Sequence, residues 1–124
     1  MRSTQQEALA IAEQRAADEI SRAAELAERF MLQLQKVAPE FPKVCPDGIP
    51  HPIYLGIRNY LVYRRPAGDF IMAVLRNNLH EALARADSVN MESLPVIVHF
   101  IYWFVPGNSW GSDERVKNWL DGKI

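Results

Sequence analysis

The chain has few of the features that would assign it to a class outright. One cysteine, Cys45, stands alone among 124 residues, so no internal disulfide can form and a reducing cytoplasm is the expected setting. An excess of either charge is missing too. Fourteen Lys and Arg against fifteen Asp and Glu leave a net charge of −1. That balance argues against nucleic acid as the partner, because such affinity comes largely from neutralised phosphates. The longest apolar run is about ten residues, roughly half of what a helix needs to span a bilayer. No charged segment followed by an apolar one opens the chain, so neither a secretory signal nor a membrane partner is expected. Metal-ligand spacing is lacking as well. Cys45, His51, His80 and His99 form no Cys-x-x-Cys or His-x-x-x-His pair, and no metal or cofactor is expected.

Glycine and proline are absent from residue 3 to residue 38. This block of Ala, Glu, Gln, Arg and Leu has strong summed helix propensity, and Ser3 or Thr4 can cap it, Ser3 with Gln6 in a capping-box pattern. Leu9, Ala16, Ile20, Ala23, Ala27, Phe30, Leu34 and Val37 follow a 4,3 alternation broken only at Glu13. Residues 1–38 are therefore read as a helical arm whose last turns pack on the domain. Its first half either frays or pairs with another copy, which makes a homo-oligomer through this helix one expectation. An ordinary amphipathic core helix is the other.

Prolines then crowd into residues 39–52, where Pro39, Pro42, Pro46, Pro50 and Pro52 exclude regular helix. Asp47-Gly48 fits a tight turn, and Phe41, Val44 and Ile49 suggest a connector lying on the core. Residues 53–124 read as a compact domain of about four helices. Pro52 suits the first turn of a helix running to about Tyr63. Asp69 caps a second helix in which Phe70, Ile71, Val74, Leu75, Leu79 and Leu83 point inward at a 3.6-residue period. Ser112 caps a short last helix with Val116, Trp119 and Leu120 facing inward. The expected class is all-α.

Val96 to Val105 is apolar or aromatic at every position but His99. Propensity favours a strand, but the only candidate to pair with it is the shorter Ile57–Tyr63 segment, so a central buried helix starting near Ser93 is the reading adopted. Gly107-Asn108-Ser109-Trp110-Gly111 matches the Gly-x-Ser-x-Gly nucleophile elbow. No His follows Ser109, and the chain has no room for the required βα units. The segment is read as a helix stop with Trp110 tucked against the core, and no enzymatic activity is expected.

The segment with most functional content is basic and aromatic. Arg58, Arg64 and Arg65 lie among Tyr54, Tyr60 and Tyr63, and no acid intervenes. Tyr and Arg are the types enriched at protein interfaces, and Arg58, Tyr60, Tyr63, Arg64 and Arg65 form the expected partner-binding set. A solvated helix end is the plainer alternative, since cations there suit the helix dipole.

Between residues 56 and 112, five motif groups occur in order. They are Gly56-x-Arg58-x-Tyr60, Pro66-x-Gly68-x-Phe70, Ala73-Val74-Leu75-x-Asn77-x-Leu79, Ala84-Arg85-Ala86-Asp87-x-x-Asn90 and Ser109-Trp110-Gly111-Ser112. Together they resemble a family of small, uncharacterised bacteriophage and prophage proteins with no established activity. The resemblance implies an all-helical domain of mobile-element origin. On that basis the expected function is a protein-binding module acting on a host protein, with inhibition of a host defence as one form. A self-assembling phage accessory protein, joined through residues 3–38, is the alternative.

Overall fold

A computed structural model describes residues 2–123, with side chains from Thr4 onward. All secondary structure among these residues is helical. Six α-helices occur: α1 (Arg2–Val37), α2 (His51–Tyr63), α3 (Asp69–Leu75), α4 (Leu79–Arg85), α5 (Ser88–Phe104) and α6 (Asp113–Leu120), with a 3-10 turn at Gly107–Ser109. The all-α expectation holds, with five helices rather than four after the first. The chain divides into two compact units, Met1–Gln33 and Leu34–Ile124.

In the first unit α1 runs without a break, as a segment without Gly or Pro should. It begins before Thr4, which is therefore inside the helix; the side chain of Ser3 lies outside the described residues. Residues 4 to 29 are all exposed, including Leu9, Ile11, Ile20 and Leu26.

The second unit starts with the end of α1, where Leu34 and Ala38 are buried. The proline segment lies on the core as expected through Phe41 and Ile49, but Val44 stays exposed. Gly48 takes φ +86° in the Asp47-Gly48 turn. From α2 come Ile53, Tyr54, Ile57, Tyr60 and Leu61, one inward stripe. At Gly56 a Cβ would stand 2.7 Å from Cδ1 of Ile71, so the missing side chain lets α2 and α3 approach closely.

The helix expected from Asp69 through Leu83 is two helices. Asn77 takes the left-handed conformation (φ +61°) that Asn tolerates better than most residues. The Asn78 N–H donates to the Ala73 carbonyl and the Asn77 N–H to that of Val74, the pairing that closes helix ends. Asn78 then starts α4, its side chain accepting from the Glu81 N–H at 3.1 Å. The break redirects α4, and Leu79 and Leu83, expected inside, are exposed. Gly68 rather than Asp69 occupies the capping position of α3.

Helix α5 also starts earlier than expected. Asp87 caps it, accepting from the Asn90 N–H at 2.7 Å, so the helix begins at Ser88 and encloses Pro95. Pro95 offers no N–H to the Met91 carbonyl, and it stands on the exposed side, where water can replace that bond. The last helix follows expectation except at Leu120, which is half-buried. Ser112 caps α6 by accepting from the Arg115 N–H at 3.1 Å, and Val116 and Trp119 are buried.

Candidate functional site

The basic–aromatic cluster separates into three environments. Tyr60 has no exposed surface, and its hydroxyl donates to the Ser109 carbonyl at 2.6 Å. Burial drives its phenol far above the usual tyrosine range, a rise only partly offset by the nearby Arg76 and Arg64 charges. Tyr60 is therefore a core residue, and its expected place on a binding surface is corrected: no part of its ring reaches a partner.

Arg64 ends α2 in the left-handed conformation (φ +55°). Its guanidinium lies 3.6 Å from the centroid of the Trp119 ring and donates to the Trp119 carbonyl at 3.1 Å. Trp119 in turn donates from Nε1 to the Tyr60 carbonyl at 3.0 Å. These bonds lock the end of α2 to α6, so the half-buried Arg64 serves first as a fastener. Arg58 sits 5.7 Å from the centroid of Tyr54, which is itself buried and donates to the Pro42 carbonyl at 2.7 Å. Only Tyr63 and Arg65 stand well exposed, with the Arg65 guanidinium 4.6 Å from the Tyr63 ring centroid.

The nucleophile-elbow motif takes no elbow geometry. It follows a helix, and Ser109 is fully buried with its hydroxyl donating to the Pro106 carbonyl at 2.6 Å. Trp110 donates from Nε1 to the Val105 carbonyl at 3.2 Å, which folds the segment back on the end of α5. Among the described residues no three His, Cys, Asp or Glu side chains converge as metal ligands. The Cys45 thiol, 3.3 Å from the Ile49 carbonyl, is pushed above its ordinary pKa by desolvation and by the nearby Asp47 charge.

The surface that stands out is the outer side of α5. This helix was expected to be central and buried, yet only Ile97, Phe100 and Ile101 are. Val96, Val98, Tyr102 and Trp103 are exposed, the last two at 64% and 61%. Residues one turn apart share a helix face, so Pro95, His99 and Tyr102 form the outermost ridge. Val98 and Met91 flank it on one side, Val96 and Trp103 on the other. Tyr102 and Trp103 meet edge to face at 5.2 Å, and the Trp110 ring lies 6.3 Å from that of Tyr102. From Ser93 to Ser112 there is no Asp, Glu, Lys or Arg.

A cleft borders each side of this ridge. One, of about 190 Å³, lies between α4 and α5 and is lined by Val74, Leu79, Ala82, Leu94, Val98, Ile101 and Trp110, with Asn77 and Asn78 at its rim. The other, of about 470 Å³, lies between α5 and the proline segment, against Pro46, Asp47, Ile49, Pro95, Val96 and His99. Each is large enough for an apolar side chain. Contiguous exposed apolar surface of this kind marks interaction sites in soluble proteins, and Tyr and Trp are the types that carry binding energy at interface centres.

One signal for this face was present in the sequence. The charge-free stretch from Ser93 to Ser112 is visible there, but an all-apolar helix reads equally as a core helix. Burying it needs helices on every side, and the second unit's other helices are too short and too few to enclose it. No described helix is long and apolar enough to cross a membrane. Comparison with protein-family models, curated proteins and solved structures finds no match to this chain.

Proposed function

We propose that this chain is a non-enzymatic protein-interaction module that binds its partner through the outer face of α5. The observation that carries the reading is the exposed Tyr102–Trp103 pair on a helix face without charge from Ser93 onward, between two largely apolar clefts. Water is a poor neighbour for such a surface. Covering it stabilises a complex by about 25 cal/mol per Å² of apolar area before the costs of association are met. The resemblance of residues 56–112 adds a phage or prophage origin. A photo-reactive benzophenone side chain placed at Tyr102 should form a covalent protein adduct in the cells that make the chain. The same group at Val44, which is more exposed than Tyr102, should not. If position 102 yields no protein adduct, the reading fails.

A second reading has its own observation. Leu9, Ile11, Ile20 and Leu26 of α1 are exposed over a run with no buried residue, and a scaffold protein assembling through this helix would cover them. Under that reading Ile20→Glu dissociates an assembly that Tyr102→Glu leaves intact. A truncation test should end at Gln33, because removing residues 1–38 would also take Leu34 and Ala38 out of the core.

A further inference from the structure

We infer that the occupant of the α5 face is a second copy of this chain, packed antiparallel about a two-fold axis that passes beside Val98 and His99. The inference rests on the reading of this face as the docking surface and names its partner.

Charge is the first argument. A two-fold contact sets a surface against itself, so every charge within it meets its own copy or lies close to it. Most protein surfaces fail that condition, and chance alone would put several charges in a stretch this long. Here Ser93 to Ser112 carries none; Glu92 continues the ridge at its N-terminal end, and Asp47 and Glu40 stand at the edge of the Val96–Trp103 flank. An antiparallel arrangement centred on Val98 and His99 moves the two Glu92 carboxylates to opposite ends of the contact. At 1.5 Å of rise per residue they stand about 20 Å apart along the helices, beyond the screening length at physiological salt. A parallel arrangement would set them side by side.

Area is the second argument. Given the exposures of Met91, Val96, Val98, Tyr102 and Trp103, with Pro95 and His99 exposed between them, the face offers on the order of 700 Å². A stable interface buries roughly 800 Å² on each partner. The face is thus close to the size that a homodimer needs, and its apolar character matches the composition of homodimer interfaces.

Shape is the third. Antiparallel symmetry brings the C-terminal end of one α5 to the N-terminal half of the other, and it keeps each flank of the ridge on its own side. Trp103 then faces the second copy's cleft beside Pro95 and Val96. On the opposite flank Tyr102 faces the second copy's cleft beside Leu94 and Val98. Both protruding rings find a largely apolar cleft, twice over by symmetry, with Asp47 the one charged residue in the lining that Trp103 meets.

Sedimentation equilibrium of the full chain between 1 and 200 μM tests the inference, the concentrations being chosen to span ordinary dimer affinities around the micromolar range. The expected result is a monomer–dimer equilibrium. Tyr102→Glu and Trp103→Glu should each weaken it by roughly 100-fold, since each buries a carboxylate in the contact. Both side chains are exposed, so the helical circular-dichroism signal should not change. In a Cys45→Ser background, His99→Cys should form a disulfide-linked dimer under mild oxidation. Val89→Cys should not, because it lies about 28 Å along the helices from its copy, well outside disulfide reach. A monomer at every concentration overturns the inference. So does a dimer insensitive to both glutamates, or one that cross-links at position 89 and not at 99. A monomeric chain whose position 102 still forms an adduct with a different protein would overturn the second copy as occupant while upholding α5 as the docking face.

Discussion

Arg64 carries two burdens that point in opposite directions, and separating them tests the account of the α2–α6 junction. Its backbone sits at φ +55°, a conformation that costs a residue with a Cβ about 1–2 kcal/mol. Its side chain offsets that cost by stacking on Trp119 at 3.6 Å and donating to the Trp119 carbonyl at 3.1 Å. For a half-buried guanidinium the stack is worth about 1 kcal/mol and the hydrogen bond about 1 kcal/mol. Arg64→Ala removes both and keeps the backbone penalty, so it should destabilise by about 2 kcal/mol. Arg64→Gly removes the same contacts but relieves the penalty, and should destabilise by about 1 kcal/mol less than the alanine variant. Urea unfolding followed by tryptophan fluorescence is the assay, because Trp103, Trp110 and Trp119 all lie in the second unit. In a thermal scan the alanine variant should melt roughly 10 °C below the parent. Helix propensity by itself ranks Ala above Gly. An alanine variant as stable as the glycine variant, or more stable, would refute the argument. The same junction complicates any test of the basic cluster: an Arg64→Glu, Arg65→Glu double variant disturbs folding as well as surface charge, whereas Arg65→Glu alone probes the surface.

Tyr60→Phe should cost about 1–3 kcal/mol at neutral pH, because it leaves the buried Ser109 carbonyl without its donor. Its pH dependence has a definite sign. The unfolded phenol ionises near pH 10 while the folded one holds its proton far higher, so above about pH 10 the unfolded state binds fewer protons. Parent stability should fall there, and the gap between parent and Tyr60→Phe should close as pH rises in urea titrations; a gap that widens would contradict the assignment. Gly111 takes φ +109° and donates from its N–H to the Leu75 carbonyl at 2.6 Å. Gly111→Ala should therefore lower the urea midpoint by the equivalent of about 1–3 kcal/mol. Asp87→Ala removes the side-chain cap of α5 and should cost about 1 kcal/mol. Faster amide exchange confined to the first turn of α5 would be its signature, and an unchanged rate at Asn90 would count against the cap.

The division between what was legible in the residues and what was not has physical causes. Local signals succeeded where local energies decide. The absence of Gly and Pro gave one continuous helix to Val37, the prolines ended it, and Ser112 capped α6 with its own hydroxyl. The split at Asn77 was missed because a hydrophobic period continues across it, and the period does not report a left-handed residue. Pro95 was expected within a first turn, yet Asp87 offered a cap that starts the helix five residues earlier, and the exposed side of the helix tolerates the missing bond. For the basic cluster, residue type was visible but direction was not. Tyr60 lies on the side of α2 that meets α6, and Arg64 is turned onto Trp119 by the left-handed residue that ends the helix, while Tyr63 and Arg65 stay exposed.

By itself the sequence pointed to an all-α class, with Val96–Val105 open between helix and strand, and carried a long first helix, a proline segment laid on a core and the lack of any metal-ligand or triad spacing. These follow from propensities and spacings that each residue carries with it. Burial was decided only by the tertiary structure, because it depends on how many neighbours a face finds. That is why a largely apolar helix, read as the centre of the fold, leaves Tyr102 and Trp103 at the surface, and why two of the five residues expected to bind a partner, Tyr60 and Arg64, are engaged in the core and in the α2–α6 junction.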